Sequence, residues 1–502
     1  MNLAPLKQTG RLAILALTGL LVFSCKKDSP EPEPEPEPEP VERTEAQLIK
    51  DDIYKYYKLY SLWDKSIPDY TSDPSKFTDQ YNSADAVLAA LKALTPTHAV
   101  YSGGVLDRFS YMVGLDGYNT ATRASGKLKM DTNDGYGIYN SFGTDDGKTA
   151  YPIIYFVEGG SPAQRAGLKR SDYITAVGND SDYSLAVTCE GQNCSFNESD
   201  RDKIQNKLNA ALDAGTLSLH IKHQDGTSTT KDLTYANGYT IDPIYKDSIY
   251  SYNGNNVGYL ALSSFEEIEN NNVNQQKIDA VFDKFQTQQI KSLIVDLRYN
   301  GGGYVDASAY VADKIGGAIT KGKLMLTYEV NDYIKATPSL NKMFQDTKFE
   351  GKSNLNLNKV YFLVSDHTAS AAEMLINVLK PYLQVQLIAS GTRTYGKPVG
   401  FFEQVVQNKV SFWPVSFLLK NSNPEKFPDY WDGLIPDESK ITDYVFVDVG
   451  DKKETMLATA LNDAAPGITT KASINAVSRK GYRILNQGEV NIRPDRGMIK
   501  KR

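Results

Sequence analysis

Tyr361-Phe362-Leu363-Val364-Ser365-Asp366-His367-Thr368-Ala369-Ser370-Ala371-Ala372-Glu373 is the stretch that decides the fold. Residues 361–364 are an apolar run with the character of a short buried strand, and the segment from Ala371 to Leu379 reads as a helix. Ser370 therefore stands at a strand-to-helix turn. The first N–H groups of a helix have no intrahelical partner, and its dipole favours negative charge. An anion forming beside Ser370 would be stabilised there.

Working outward, a second apolar run at 385–388 leads into a loop at 391–396, and Thr394-Tyr395-Gly396-Lys397 begins 24 residues beyond Ser370. Ser370 and Lys397 are thus candidates for a nucleophile and its base. An ordinary lysine, with a pKa of about 10.4, is a poor base at neutral pH, so the role requires burial or a neighbouring cation. Each piece also has a plainer reading. A serine at a helix start is usually an N-cap, and a Gly-Lys turn is usually a solvated loop. Residues 391–397 match the phosphate-loop pattern G-x-x-x-x-G-K, but Pro398 stands where that loop needs a hydroxyl for magnesium. Ser339-Leu340-Asn341-Lys342 matches S-x-x-K without the lysine-threonine-glycine motif that accompanies it in penicillin-binding proteins. Neither pattern carries a function.

Apolar strand-like runs from Val257 onward, at 293–297 and 360–364, alternate with helical patterns at 278–285, 307–315 and 371–379. This alternation predicts an α/β core with a mixed sheet and helices. Between them lies Asp296-Leu297-Arg298-Tyr299-Asn300-Gly301-Gly302-Gly303. Glycine lets the backbone approach a reacting carbonyl closely and take up positive φ. Asp296 and Arg298 are expected to be structural, Arg298 pairing a carboxylate at the strand end.

Taken in order, Val257-Gly258-Tyr259-Leu260, Phe265, the glycine turn, the Ser370 segment and the Lys397 loop resemble the C-terminal processing (tail-specific) serine peptidases over roughly residues 100–465. The resemblance implies a nucleophilic Ser370 three residues before Glu373, a Lys397 base, and an oxyanion hole from the Ala371 N–H and the Gly302 N–H, with Gly303 close behind. It requires no metal, nucleotide or other cofactor. One position departs from the family. Where many members carry a glutamine that orients the lysine, four residues after it, this chain has Phe401, with Glu403 and Gln404 as possible substitutes.

Residues 130–240 contain Gly135-Tyr136-Gly137 and Gly160-Ser161-Pro162-Ala163-Gln164-Arg165-Ala166-Gly167-Leu168. This β-rich part is similar to the PDZ domain that such peptidases carry, with a short helix at 161–166 and an insertion near 180–202. The similarity implies that Gly135, Tyr136, Gly137 and Ile138 form a loop capturing the C-terminal carboxylate of a polypeptide added as a strand. Glycines in a hairpin are the simpler explanation of the same residues.

Residues 1–24 carry Lys7 and Arg11, an apolar stretch to Phe23, and then Ser24-Cys25, the layout of an export signal. Val22-Phe23-Ser24-Cys25 resembles a bacterial lipobox, which implies lipidation of Cys25, a membrane anchor, and a place at the outer membrane or cell surface. Residues 25–45 form an acidic stalk with five Glu-Pro repeats; the charge of residues 31–45 alone equals the net −6 of all 502 residues, so the folded body is nearly neutral. A neutral body has no basic field for nucleic acid. Cys189 and Cys194 remain, and an exported location permits them to form a disulfide. The four histidines and the cysteines lack metal-ligand spacing.

The plan is completed by a mainly helical region at 46–129, the catalytic region at 241–465, and a basic tail at 466–502, read as solvated. The function expected is an exported serine endopeptidase. Two alternatives stand beside it: a catalytically impaired peptide-binding scaffold lipoprotein, suggested by Phe401, and a Ser-His peptidase using His98.

Overall fold

A computed structural model of the chain describes residues 42–98, 104–115, 132–191, 193–269, 271–468, 482–485 and 497–500. The export signal, Cys25 and the Glu-Pro stalk lie outside the described residues. From Thr44 onward the described residues belong to one unit.

Its centre is a five-stranded sheet in the order Ile244–Tyr252, Asn255–Leu262, Ser292–Asp296, Lys359–Val364, Val385–Ala389. The first pair is an antiparallel hairpin and the remaining pairs are parallel. Strand alternation sorts the side chains. Val360, Phe362 and Val364 point into a core shared with Phe282, Val311 and Leu375 of the helices Val273–Thr287, Val305–Thr320 and Ala371–Leu379. Tyr361 and Leu363 point the other way, against Met456 and Leu461 of the closing helix Thr455–Ala464. Both faces are covered, as a parallel sheet requires. The expected mixed α/β core is present.

A second sheet runs Gly302–Tyr304, Gly497–Ile499, Val399–Phe401, Val415–Asn421, Leu324–Val330, Thr347–Lys348. It contains the strands that follow the glycine turn and the Lys397 loop. Between those two strands lies the tail, Gly497–Ile499, with Met498 fully buried. The solvated reading of the tail is corrected for its described residues, because apolar Met498 and Ile499 are buried within the basic segment.

The N-terminal helix Glu45–Tyr60 starts at a capping box of Thr44 with Gln47. Its apolar face packs Tyr57 on Phe412 and Tyr60 on Phe402, although Leu48 remains exposed. After the helix Ala84–Ala93 the region is not helical throughout. Tyr111–Gly114 is a strand paired with Val410–Trp413, a partner some 300 positions away that no local pattern announces.

The β-rich part forms a sheet in the order Arg483–Leu485, Ile138–Thr144, Thr149–Val157, Tyr173–Val177, Thr216–Lys222, Ser228–Thr234. The helix Glu198–Leu212 shares a core with it through Ile204 and Leu208. The predicted short helix is Pro162–Arg165, capped by Ser161. Within 180–202, Leu185–Glu190 and Asn193–Phe196 pair as a hairpin that sets Cys189 opposite Cys194, and the two are joined in a disulfide.

Candidate active site

Ser370 precedes the helix Ala371–Leu379 with φ 60° and ψ −115°, a conformation that side-chain-bearing residues rarely adopt. Such a residue carries of order 1–3 kcal/mol of strain and persists only where its surroundings hold it. The restraint is Glu373, three residues on and fully buried. Its Oε2 accepts the Ser370 N–H at 2.8 Å and the Lys397 N–H at 2.9 Å. Its Oε1 accepts the Thr394 hydroxyl at 2.5 Å and the Gly396 N–H at 2.8 Å. One carboxylate thus ties the serine turn to the lysine loop. Burial pushes its carboxyl up to about 7, against the opposing pull of those four donors. The Ser370 Oγ is itself buried and has no hydrogen-bond partner among the described residues.

Lys397 is 5% exposed. Its Nζ lies 5.2 Å from the centre of the Phe109 ring and 4.7 Å from that of Phe401. Phe401, in place of the family's glutamine, therefore walls the ammonium with a ring face. Glu403 accepts the Ser411 hydroxyl, and Gln404 is buried in a strand paired to Phe412. The N-terminal region supplies cations around the same loop. The Arg108 guanidinium donates to the Gly396 carbonyl at 3.1 Å, and Lys92 donates to the Ser110 carbonyl at 2.9 Å. Burial pushes the Lys92 ammonium down; Asp107 opposes that and Lys397 adds to it, so a second cation lies within electrostatic reach of Lys397. Lys397 is thus buried, with a second cation nearby.

The glycine turn is stitched to the serine loop. The Ser365 and Thr368 hydroxyls donate to the Arg298 and Leu297 carbonyls, and the Ala369 N–H donates to the Asn300 carbonyl at 3.2 Å. Ala371 provides the first N–H of the helix, aimed away from any intrahelical acceptor. The Gly302 N–H instead donates to Asn300 Oδ1 at 2.9 Å, so it would serve an oxyanion only by giving up that acceptor. Gly303 has φ 139°, and a Cβ there would come within 2.2 Å of the Phe265 carbonyl oxygen. No other residue fits.

Beneath the turn, Arg298 binds Asp296 through two nitrogens at 3.0 and 2.6 Å, and reaches Asp443 at 2.7 Å and Glu454 at 3.0 Å. Arg170, from the β-rich part, binds the same Asp443 at 2.6 Å. Burial would raise the Asp443 carboxyl, but the two guanidinium groups prevail and hold it below the usual carboxylate range. Arg298 is structural, as expected. Its wider partners, and the whole role of Arg170, are invisible in the sequence.

In the expected carboxylate loop, Gly135 and Gly137 have φ 99° and 72°. The Tyr136 ring is buried, with its hydroxyl on the Ala214 carbonyl, and its own carbonyl accepts the Ala163 N–H. Ile138 opens the strand that follows. A cleft of about 260 Å³ separates this part from the serine loop, with Tyr155, Tyr299, Ser365, His367 and Ile484 in its walls. His220 and His223 bond within the β-rich part, to the Gly178 carbonyl and to Asp172. His98 lies 3.5 Å from Asp432. Among the described residues, no group of acidic, histidine or cysteine side chains is placed to hold a metal, and no helix is long and apolar enough to cross a membrane.

Residues 256–412 match the profile of Peptidase family S41. They include Ser370, Glu373, Lys397 and the glycine turn. The chain is 28% identical over 239 residues to the carboxy-terminal processing protease CtpA of Bacillus subtilis, covering 47% of this chain and 42% of that one. It is 27% identical over 240 residues to a probable CtpA-like serine protease of Staphylococcus aureus, covering 48% of this chain and 40% of the relative. The match thus spans about two-fifths of these relatives' length. The fold is shared with the crystal structure of a candidate S41 protease from Bacteroides fragilis, with a TM-score of 0.58 and 24% identity over 83% of this chain and 97% of that one.

Proposed function

We propose that this chain is a serine endopeptidase that cleaves polypeptides by acyl transfer, with Ser370 as nucleophile and Lys397 as base. The observation that carries the reading is the Glu373 carboxylate, which accepts from the backbones of both residues and so holds nucleophile and base in one frame. In this mechanism the Ser370 Oγ attacks the scissile carbonyl while its proton passes to the Lys397 Nζ. The tetrahedral oxyanion is met by the Ala371 N–H and, after it leaves Asn300, the Gly302 N–H. Lys397 then protonates the leaving amine. Water, deprotonated by the same lysine, hydrolyses the acyl-enzyme and returns Ser370 to its starting state.

Recognition of substrate ends belongs to the β-rich, PDZ-like part, with the backbone of Gly135, Tyr136, Gly137 and Ile138 as the carboxylate loop. No cofactor takes part. Export and anchoring through a lipidated Cys25 complete the proposal; metabolic labelling with a fatty acid, lost in Cys25→Ser, is its test. Ser370→Ala should abolish hydrolysis of an unfolded protein such as casein while leaving the circular dichroism spectrum unchanged. Undiminished turnover would sink the assignment.

Phe401 favours a second reading, an impaired scaffold that binds peptides without turnover, because an aromatic ring faces the Lys397 ammonium at the position where the resemblance leads one to expect an orienting glutamine. A serine-directed phosphonate separates the two. Adduct mass at Ser370 supports the peptidase, and peptide binding with no adduct supports the scaffold.

A further inference from the structure

The strand Ile138–Thr144 would be the edge of its sheet were it not for residues 483–485, and an unpaired edge is a template for an added strand. The occupant is the chain's own tail. It pairs antiparallel, with Arg483 opposite Thr144, Ile484 opposite Gly143 and Leu485 opposite Phe142, and so runs toward the Gly135–Tyr136–Gly137 loop. Strand alternation turns Leu485 and Ile484 to opposite sides. Leu485 is 2% exposed and joins Phe142, Ile204 and Leu208, filling the space between the strand and the helix Glu198–Leu212. Ile484 forms a wall of the cleft that also contains Ser365 and His367 of the serine loop. Tyr482 packs against Phe446 with ring centres 5.0 Å apart and the rings tilted.

The same tail reaches the other side of the site. Gly497–Ile499 runs parallel to Gly302–Tyr304 and is flanked by Val399–Phe401, so it joins the strand of the glycine turn to the strand of the lysine loop. Beyond it the Lys500 N–H donates to the Phe401 carbonyl at 3.1 Å, and its Nζ meets Asp306 at 2.5 Å. Met498 is part of the main core. This second strand fastens the tail, and the first occupies the edge.

We propose that residues 482–485 are a self-docked occupant of the polypeptide-accepting edge, which an incoming polypeptide end must displace before it can reach Ser370. The inference rests on the peptidase reading for its consequence and on the strand pairing for its existence. A tethered occupant competes at an effective concentration of order millimolar, so releasing it should tighten the apparent affinity for a free peptide tenfold or more. The three-residue pairing keeps the exchange possible, because few backbone bonds must break.

The probe is a fluorescein-labelled Tyr-Arg-Ile-Leu peptide with a free carboxylate, measured by anisotropy on full-length Ser370→Ala protein with and without Leu485→Asp. At least tenfold tighter binding to the Leu485→Asp protein is expected. Equal affinities, or binding to neither, overturn the proposal. Should Leu485→Asp fail to fold, amide exchange on the Ser370→Ala protein with millimolar unlabelled peptide decides the same question. Residues 483–485 should lose protection while Ile138–Thr144 retain theirs; unchanged protection at 483–485 overturns it. Casein hydrolysis by the Ser370-containing forms is scored separately. Tighter peptide binding with no hydrolysis in either form defeats the peptidase reading alone, and hydrolysis without tighter binding defeats self-docking alone.

Discussion

Ser370 and Lys397 donate their backbone N–H groups to one oxygen, Glu373 Oε2, at 2.8 and 2.9 Å. The two amide nitrogens can be no farther apart than those two bonds laid end to end. A change at Glu373 should therefore act on catalysis without touching substrate. Glu373→Gln keeps the size but turns an NH2 group toward two of the four donors, each then buried without an acceptor at about 1–3 kcal/mol. We expect kcat to fall on the order of 100-fold with KM nearly unchanged, since the loss is in positioning. Steady-state kinetics on a quenched peptide checks this; activity within twofold of the parent would refute it.

The positive φ of Ser370 gives a second prediction. A Cβ is strained at φ 60°, ψ −115°, and glycine is not. Ser370→Gly should therefore be more stable than Ser370→Ala by about 1 kcal/mol, although both lack the nucleophile. Parallel thermal melts decide it. If the alanine variant is the more stable, the turn is not strained.

Glu373 also sets a pH dependence. Burial raises its folded-state pKa to about 7 from an ordinary 4.5, so between these values the folded protein binds the proton that the unfolded chain releases. Its contribution to stability is full below about 4.5 and is lost as the pH rises through about 7. Activity should run the other way, because only the carboxylate can accept all four donors. Urea midpoints and turnover between about pH 5 and 8 should thus slope in opposite directions, and Glu373→Gln should flatten the Glu373 component of both. Parallel slopes in the parent would count against this assignment.

The elements around this frame are legible in the sequence because they are local patterns. The 361–364 run, the glycine turn and the Ala371–Leu379 helix announce themselves by alternation, composition and length. Ser370 and Lys397 are legible through their order and spacing. Glu373 stands out as a position but not as the clamp, because its partners Thr394, Gly396 and Lys397 meet it only through the fold. The same holds for Tyr111–Gly114 and for residues 483–485, short strands whose pairing partners lie hundreds of positions away.

Arg298 and Arg170 differ in what they leave behind when removed. Arg298 is within 3.0 Å of Asp296, Asp443 and Glu454, whereas Arg170 shares only Asp443 among them. Breaking a buried pair leaves an uncompensated charge and costs about 3–5 kcal/mol. Arg298→Met should approach that loss in chemical unfolding. Arg170→Met should lose less, because Arg298 still neutralises Asp443. A larger loss at Arg170 would mean that the β-rich part, not the sheet, depends most on this cluster.

Lys397 and His98 are two candidate bases for Ser370, and the frame favours Lys397. His98 pairs with Asp432, between Trp431 and Gly433, whose backbones pack so closely on Gly396 that a Cβ there would lie 2.5 Å from the Trp431 carbonyl oxygen. Its partner Asp432 thus lies in the segment packed on the turn that precedes Lys397. Lys397 alone shares the Glu373 oxygen with Ser370, and a proton acceptor must be held in register with its nucleophile. Lys397→Met, which retains the aliphatic stem between Phe109 and Phe401, should reduce kcat by about 1,000-fold or more. His98→Ala should stay within about threefold, since its contact with Asp432 is partly exposed and contributes little. If the two outcomes are reversed in single-turnover kinetics, the proton goes to histidine and Lys397 is a buried strut beneath the serine.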